Sequence, residues 1–341
     1  MKVLRIWFAC VLAFSVAVLL DWTNGFFCAL FPLFILSNLD RWNSAAIGQL
    51  IIGTVWTGIQ VSLIIGFLQP YPILMSIAVG LMMLFKCNAM QHAETYTFGY
   101  SGMLVGSIIL NFGSYEYFDI VHFVLGTWAA ALLVVPTCAL AFYFFPDPEG
   151  TAVAPKEQVN KDPREILEQT VLGWLAVMSV FLIFQLGDFN DSLSAQASML
   201  IMLSPMTLLG ARMAGRLRFI GTLAGCMAAM CIQLILYDME NNVILYLLSY
   251  AIASGLFCSW LARDDMVYKG LGFSAMAALT IPIAGIIPGQ KDAFFAILYR
   301  VSSIFVGLIV TSAIIWIAYT FIKNTPWLFR GVERQVKDET S

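Results

Sequence analysis

Four ionisable side chains stand in or beside otherwise apolar stretches of this chain, and they are the residues that could carry chemistry. Arg300 lies inside the last apolar segment, in AILYRVSSIFVG, and His122 lies at the corresponding depth of an earlier one, in DIVHFVLGTW. Asp21 and Asp188 each follow the first apolar segment of one half of the chain. Because a charge within hydrocarbon is costly, ionisable residues in such segments are functional candidates.

These residue types suit two different tasks. A guanidinium that faces a cavity can hold a carboxylate through two hydrogen bonds, so Arg300 is a candidate substrate-binding group. His122 can exchange a proton near neutral pH, and with Asp21 and Asp188 it is a candidate for proton coupling. Each also has a structural interpretation: a snorkelling arginine, a packed histidine, and aspartates that cap the following helices.

Prolines interrupt two apolar segments at similar places. Pro32 lies in the second segment, and Ser204 with Pro205 lies in the eighth. A broken helix exposes backbone polar groups, which a membrane tolerates only inside protein or against a cavity. Paired interruptions are typical of a transport site, so Ser204 is a candidate substrate-binding residue, with a simple kink as the alternative.

The composition indicates what kind of elements position these residues. Of the 341 residues, 60% are hydrophobic and 11% are charged, whereas soluble domains carry about 25% charged residues. The apolar runs are continuous rather than alternating, which predicts membrane-spanning helices and not a β-barrel. We therefore expect an all-α polytopic protein embedded in a lipid bilayer, with no nucleic-acid partner because no basic block occurs.

The chain divides at a polar run from Asp147 to Arg164, DPEGTAVAPKEQVNKDPR. About twelve apolar segments flank it, six on each side, although ten or eleven spans also fit. The predicted domains are a first six-helix membrane repeat over residues 1–146, a cytoplasmic linker over 147–165, a second six-helix repeat over 166–323, and a cytoplasmic tail over 324–341.

Internal matches indicate that the two halves are copies. A shift of 167 places Asp21 on Asp188, and a shift of 168 places Gly53-Thr54 on Gly221-Thr222. Further along, Gly99–Met103 matches Gly272–Met276. Six segments per half predict two parallel repeats, related by an axis along the membrane normal.

Lysine and arginine are distributed unevenly between alternate loops. With the N-terminus in the cytoplasm, all of the 18 fall on the cytoplasmic side except Lys291, in an outer loop, and Arg300. This bias predicts that both termini are cytoplasmic. The same assignment puts Lys86 just beyond a predicted segment at Ile73–Phe85.

Several kinds of catalytic site find no support in the sequence. The chain has no Walker motif, no G-x-S-x-G and no H-E-x-x-H, and its seven cysteines include no CxxC pair. The chain has only two histidines, which leaves few ligands for a zinc or haem site. We therefore expect no metal, no cofactor and no enzymatic activity.

Taken together, these features resemble one known family. The first helices end in LLDWTNG and LGDFNDS, a G[QR]L…GT stretch opens the third helix of each half, and an arginine lies early in a long final helix. This pattern is similar to the fusaric acid resistance (FUSC)-like, aromatic acid exporter superfamily, and within it to a compact bacterial branch. The family's arginine maps onto Arg300, whereas the first half has His122 in its place.

The resemblance implies efflux of small anionic or amphipathic compounds, such as aromatic acids, across the bacterial inner membrane by proton motive force. It also implies a periplasmic adaptor of the HlyD type as partner, and a homo-oligomer stays open. Three alternatives remain: a major-facilitator-type carrier, a membrane-embedded enzyme of envelope modification, and a non-transporting assembly subunit.

Overall fold

The computed structural model describes residues 1–22, 25–113, 119–146, 162–187, 200–201, 208–236, 242–263, 265–286 and 293–324. Within these ranges the chain folds into eleven helices and no strand. The helices of the first half are α1 (Lys2–Leu19), α2 (Phe26–Asn38), α3 (Ser44–Leu68), α4 (Pro72–Ala89), α5 (Tyr96–Gly113) and α6 (Ile120–Phe144). Those of the second half are α7 (Pro163–Gly187), α8 (Leu208–Ile235), α9 (Val243–Leu261), α10 (Met266–Ile286) and α11 (Ala293–Asn324).

Nine of the described helices are long and apolar enough to cross a membrane; α2 and α5 are the exceptions. Their large side chains are often exposed, as at Ile73, Ile77 and Leu81 of α4, which are 76%, 55% and 65% exposed. A soluble protein rarely leaves such continuous apolar faces in water, whereas lipid solvates them. The chain is therefore an all-α, multi-pass membrane protein, as the composition predicts.

The helix boundaries refine the predicted segments. Helix α4 continues beyond Phe85 to Ala89, so Lys86 lies inside the helix and not just beyond the end of the segment. Helix α2 runs without interruption through Pro32, which is buried. Neighbouring groups in a membrane protein can satisfy the backbone carbonyl that a proline leaves unpaired. Most of the predicted eighth span, Ser194–Leu209, lies outside the described residues.

The fold comprises two compact units, and each draws helices from both halves of the sequence. Unit 1 comprises residues 1–51, 121–154 and 216–305. Its α1 packs against α2 and α9, and α10 packs against α2 and α9. The core of this unit is mostly apolar, with fully buried residues such as Phe14, Leu36 and Tyr250, but it also buries Arg5 and Arg218.

Unit 2 comprises residues 52–120, 155–215 and 306–341. Within it α4 packs against both α5 and α7, and α5 also contacts α7. The first helix of the second half thus packs on the fourth helix of the first half. In unit 1 the first helix of the chain, α1, likewise packs on a helix of the other half, α9.

One tryptophan hydrogen bond occurs in both units. In unit 1 the Trp7 indole donates to the backbone carbonyl of Ala251, with Nε1 2.7 Å from the oxygen. In unit 2 the Trp174 indole donates to the carbonyl of Gly80 at 2.8 Å. Trp7 and Trp174 are 167 residues apart, which is the shift that relates Asp21 to Asp188.

The helix crossings also correspond. A methyl group added at Gly53 of α3 would meet the carbonyl oxygen of Phe98 at 2.9 Å and the Ser101 hydroxyl. One added at Gly221 of α8 would meet the carbonyl oxygen of Leu271 at 2.6 Å and Cβ of Ser274 at 2.5 Å. Small residues let helices approach closely where lipid supplies no hydrophobic drive for association. Glycine therefore permits the same close crossing in each unit.

Candidate functional site

The five residues predicted to form a transport site are only partly described. Arg300 belongs to α11, but its side chain lies outside the described part of the structure. Asp188 and Ser204 also lie outside the described residues. Asp21 and His122 are described and belong to unit 1. The predicted site therefore stays a prediction.

Asp21 ends α1 in a helix-capping motif. Its φ of 51° is in the left-handed region, where aspartate is tolerated better than most residues. The backbone N–H of Trp22 donates to the Ala17 carbonyl at 2.9 Å, and the N–H of Asp21 donates to the Val18 carbonyl at 3.2 Å. These are the two hydrogen bonds of a Schellman motif, so Asp21 terminates the first helix and its carboxylate is exposed.

His122 lies in the first turn of α6, two residues after Ile120, and it is exposed. His122 therefore lies outside the buried core of unit 1.

Arg5 is buried in unit 1 with its charge well solvated by the protein. Its Nη1 donates to the Asp40 carbonyl at 2.9 Å, and Nε and Nη2 donate to the Phe145 carbonyl at 3.2 and 3.0 Å. The guanidinium also lies 4.1 Å from the centre of the Phe142 ring. Arg5 therefore joins the start of α1 to the chain that follows α2 and α6, which is a structural role.

The interior of unit 2 is more polar than its apolar helices lead one to expect. Buried side chains with hydrogen-bonding atoms line the face of α3 that crosses α5, and they continue along α5. They are Thr54, Thr57, Ser101, Ser107 and Asn111. Within the described part of the chain, the hydroxyls of Thr54 and Thr57 have no hydrogen-bond partner. Buried polar groups are nearly always paired, so such atoms call for an explanation.

Lys86 is the charged residue of this polar interior. Its side chain is completely buried, and among the described residues its Nζ has neither a hydrogen-bond nor an ion-pair partner. The ammonium lies 4.1 Å from the centre of the Phe98 ring, a cation–π contact. Such a contact contributes about 0.5–2 kcal/mol, whereas burying an ion costs several kcal/mol. The ring alone therefore does not compensate the buried charge.

Lys86 and Thr57 converge on Gly102 of α5. A methyl group added at Gly102 would lie 2.7 Å from Thr57 Oγ1 and 2.8 Å from Lys86 Nζ. The ammonium and the hydroxyl are thus close neighbours, although they make no hydrogen bond with each other. Both are hydrogen-bond donors that lack an acceptor, and glycine makes room for them.

Unit 1 has no charge at the matching position. A methyl group at Gly99 would meet the carbonyl oxygen of Lys86 at 2.7 Å, and one at Gly272 would meet that of Phe257 at 2.9 Å. Because Gly99 and Gly272 are equivalent in the sequence repeat, Phe257 occupies the place of Lys86. Phe257 is buried against Trp260. The lysine is therefore a departure of unit 2 from the shared packing.

A second feature of unit 2 is an apolar groove of about 540 Å³ on α4 and α7. Its lining includes Ile77, Leu81 and Met178. The polar groups along it are already bonded, since Ser76 donates to the Pro72 carbonyl and Trp174 donates to Gly80. The groove can accommodate a lipid chain but offers no polar group to orient a ligand.

Sequence reasoning missed Lys86 because the predicted segment ended four residues before the helix does. The available signal was that no glycine or proline follows Lys86 until Gly99. A lysine near a predicted helix end is normally expected to reach the membrane surface. Its burial depends on the close crossing of α3 and α5, which a single segment does not reveal.

Comparison with known protein families gives a match to the first part of the chain. Residues 2–141, which cover α1–α5 and most of α6, are similar to a membrane-protein family described as protein of unknown function (DUF2955). No curated protein and no solved structure matches the chain.

Proposed function

We propose that this protein is a permease that exports small anionic or amphipathic compounds, including aromatic acids and drug-like molecules, across the bacterial inner membrane. The observation that carries the proposal is the buried polar interior of unit 2, with the Lys86 ammonium and the unbonded hydroxyls of Thr54 and Thr57. A bundle with only a structural task has no need of unpaired polar groups within spanning helices. Intramembrane ionisable residues are typical of substrate and ion pathways.

The proposed architecture is two parallel six-helix repeats, twelve spans in all. Its support is that contacts occur in corresponding pairs: Trp7 to Ala251 and Trp174 to Gly80, and the close crossings at Gly53 and Gly221. These pairs follow shifts of 167 to 173 along the sequence, as an old duplication with small insertions would produce. Many transporters are built from such internal repeats.

The proposed roles of the sequence-predicted residues fit this architecture. Arg300 and Ser204 bind the anionic group of the compound, and His122, Asp21 and Asp188 couple its export to protons. The exposure of Asp21 and His122 supports a role in proton uptake rather than in buried substrate contacts. The resemblance to the FUSC-like exporters supports the substrate class, the inner membrane with both termini in the cytoplasm, and an adaptor of the HlyD type as partner.

Export is tested in two steps. A deletion strain is first screened against a panel of aromatic acids and amphipathic drugs, with plasmid-borne wild-type protein as the control. A compound that the strain tolerates less well is then followed in inverted membrane vesicles, with and without a protonophore. We expect protein-dependent, protonophore-sensitive accumulation in the vesicles. A strain as resistant as the wild type across the panel, together with no accumulation, would contradict the proposal.

The proposed residues are tested in the same vesicles. Arg300→Ala and His122→Ala are compared with Lys323→Ala, which changes an exposed lysine in the last turn of α11. We expect export to fall at least about tenfold in the first two variants and to stay unchanged in the third, as loss of one charge-assisted contact predicts. Unchanged export in both test variants at normal protein levels would show that these residues do not form the site.

A further inference from the structure

We propose that unit 2 contains a carboxylate-binding site formed by Lys86 of α4 and Thr57 of α3, where both side chains pack against Gly102 of α5. The identity of the ligand as a carboxylate rests on the proposed export of anionic compounds. The existence of an anion site rests on the geometry alone.

The first argument is the chemistry of the unpaired atoms. Lys86 Nζ carries hydrogen-bond donors only, and the Thr57 hydroxyl has a proton to donate. Both are buried without an acceptor in the described structure. Two donors that lack an acceptor match an anion, which supplies oxygens to both. A second ammonium or a metal cation would be repelled by Lys86.

The second argument is distance. Thr57 Oγ1 and Lys86 Nζ both lie within 2.8 Å of the position that a Cβ atom of Gly102 would take, and they make no hydrogen bond with each other. The two donors are therefore near enough for one carboxylate to bridge them with hydrogen bonds of about 2.7–3.2 Å. The Thr54 hydroxyl, one turn earlier on α3, is also buried and has no hydrogen-bond partner among the described residues.

The third argument is that the helix packing does not require a lysine here. Unit 1 has the same close approach of two helices with Phe257 in place of Lys86. An apolar side chain is thus sufficient to fill the corresponding position. The ammonium is an addition to unit 2 with an energetic cost, and binding an anion offsets that cost.

The site is tested by direct binding to the purified full-length protein in lipid nanodiscs. Benzoate is the carboxylate probe and sodium chloride the halide probe; calorimetry gives the affinity and thermal unfolding gives the stabilisation. We expect Lys86→Gln to weaken benzoate binding about 10- to 100-fold, and Thr57→Val about 2- to 10-fold, as charged and neutral hydrogen bonds differ. Lys323→Gln is the matched control and should bind like the wild type.

Lys86→Met is the variant that distinguishes lost binding from misfolding. Removal of an unpaired buried charge should leave the ligand-free protein at least as stable as the wild type. A folded Lys86→Met protein that benzoate no longer stabilises supports the site. Wild-type affinity in both Lys86 variants would overturn it, and so would a wild-type protein that neither benzoate nor chloride stabilises. Stabilisation by chloride alone would overturn the carboxylate assignment.

The same variants separate this inference from the proposed function. If the wild type binds benzoate through Lys86 but vesicles export nothing, the export proposal fails and the site stands. If vesicles export normally with Lys86→Gln and benzoate binding is unchanged, the site fails and export stands.

Discussion

Arg5 in unit 1 and Lys86 in unit 2 are both almost completely buried, at 1% and 0% exposure, and both lie over a phenylalanine ring. They differ in what surrounds the charge. All three guanidinium nitrogens of Arg5 donate to backbone carbonyls, whereas Lys86 Nζ finds no acceptor in the described structure. A buried cation is therefore satisfied at Arg5 and unsatisfied at Lys86.

The difference separates a structural charge from a candidate binding group. A buried cation whose donors are all engaged stabilises the segments that supply the carbonyls, and a ligand would have to displace those bonds. The donors of a buried cation without acceptors are available to an anionic ligand. Burial alone, which sequence-based reasoning tries to infer, does not distinguish the two cases, because the distinction depends on the partners.

The largest expected effect is the replacement of Arg5 by alanine. This change removes three charge-assisted hydrogen bonds and leaves the Asp40 and Phe145 carbonyls without their donor. Loss of such a buried charged network should lower the free energy of unfolding by about 3–5 kcal/mol. Unfolding by sodium dodecyl sulfate in mixed micelles measures this change.

Arg5→Lys is the matched variant for that test, because lysine keeps the charge but cannot donate from three nitrogens in a fixed plane. We expect the free energy of unfolding of Arg5→Lys to lie between the values of the wild type and Arg5→Ala. If Arg5→Ala unfolds at the wild-type detergent fraction, Arg5 does not hold these segments together and the contrast with Lys86 disappears.

Lys86→Met should change stability in the opposite direction. Methionine has a similar length, keeps the contact with Phe98 and removes the unpaired charge, so the ligand-free protein should gain about 1–4 kcal/mol. The same unfolding assay measures it, without added carboxylates. A loss as large as that of Arg5→Ala would show that Lys86 has structural partners and would place both cations in one category.

Much of the fold could be predicted from residue patterns. Membrane-length helices follow from continuous apolar runs, and the shifts of 167 and 168 relate real pairs of contacts, such as Gly53 and Gly221. These features depend on local composition and on order along the chain. They are therefore visible without knowledge of which helices touch.

The helix pairing could not be predicted in the same way. Packing of α1 on α9 and of α4 on α7 brings together helices from different halves, and lipid-exposed helices carry no apolar stripe that identifies a partner. The partner of Arg5 is a pair of backbone carbonyls, which no residue type signals. The burial of Lys86 could not be predicted either, because it depends on packing against Gly102, a glycine 16 residues later.

The shared helix crossing provides the next test of how similar the two units are. Gly53→Ala and Gly221→Ala each force a methyl group against backbone and serine atoms of the neighbouring helix. Overpacking of this kind costs about 1–3 kcal/mol, and we expect comparable losses in the two variants. A thermal unfolding assay, monitored by the amount of protein that stays soluble, measures the stability of both variants.

Gly66→Ala is the control for the glycine test. It lies in α3 like Gly53, but an added methyl group has no atom within 4 Å, so stability should stay the same or rise by up to about 1 kcal/mol. A tolerated Gly53→Ala beside a damaging Gly221→Ala would show that the corresponding crossings are not equally close.

The smallest effect, and the sharpest test of correspondence, comes from the two tryptophans. Trp7→Phe and Trp174→Phe each remove one indole donor from a backbone carbonyl and keep most of the aromatic surface. Each should cost about 0.5–1.5 kcal/mol, the contribution of an ordinary hydrogen bond. Because the two bonds share no residue, the double variant should lose the sum of the single losses.

Trp56→Phe, at a 48% exposed position, should cost less than about 0.5 kcal/mol in the same unfolding assay. Losses that differ between Trp7→Phe and Trp174→Phe by more than about 1 kcal/mol would mean that only one of the bonds supports its unit, and the two contacts would then be alike in geometry but not in energy.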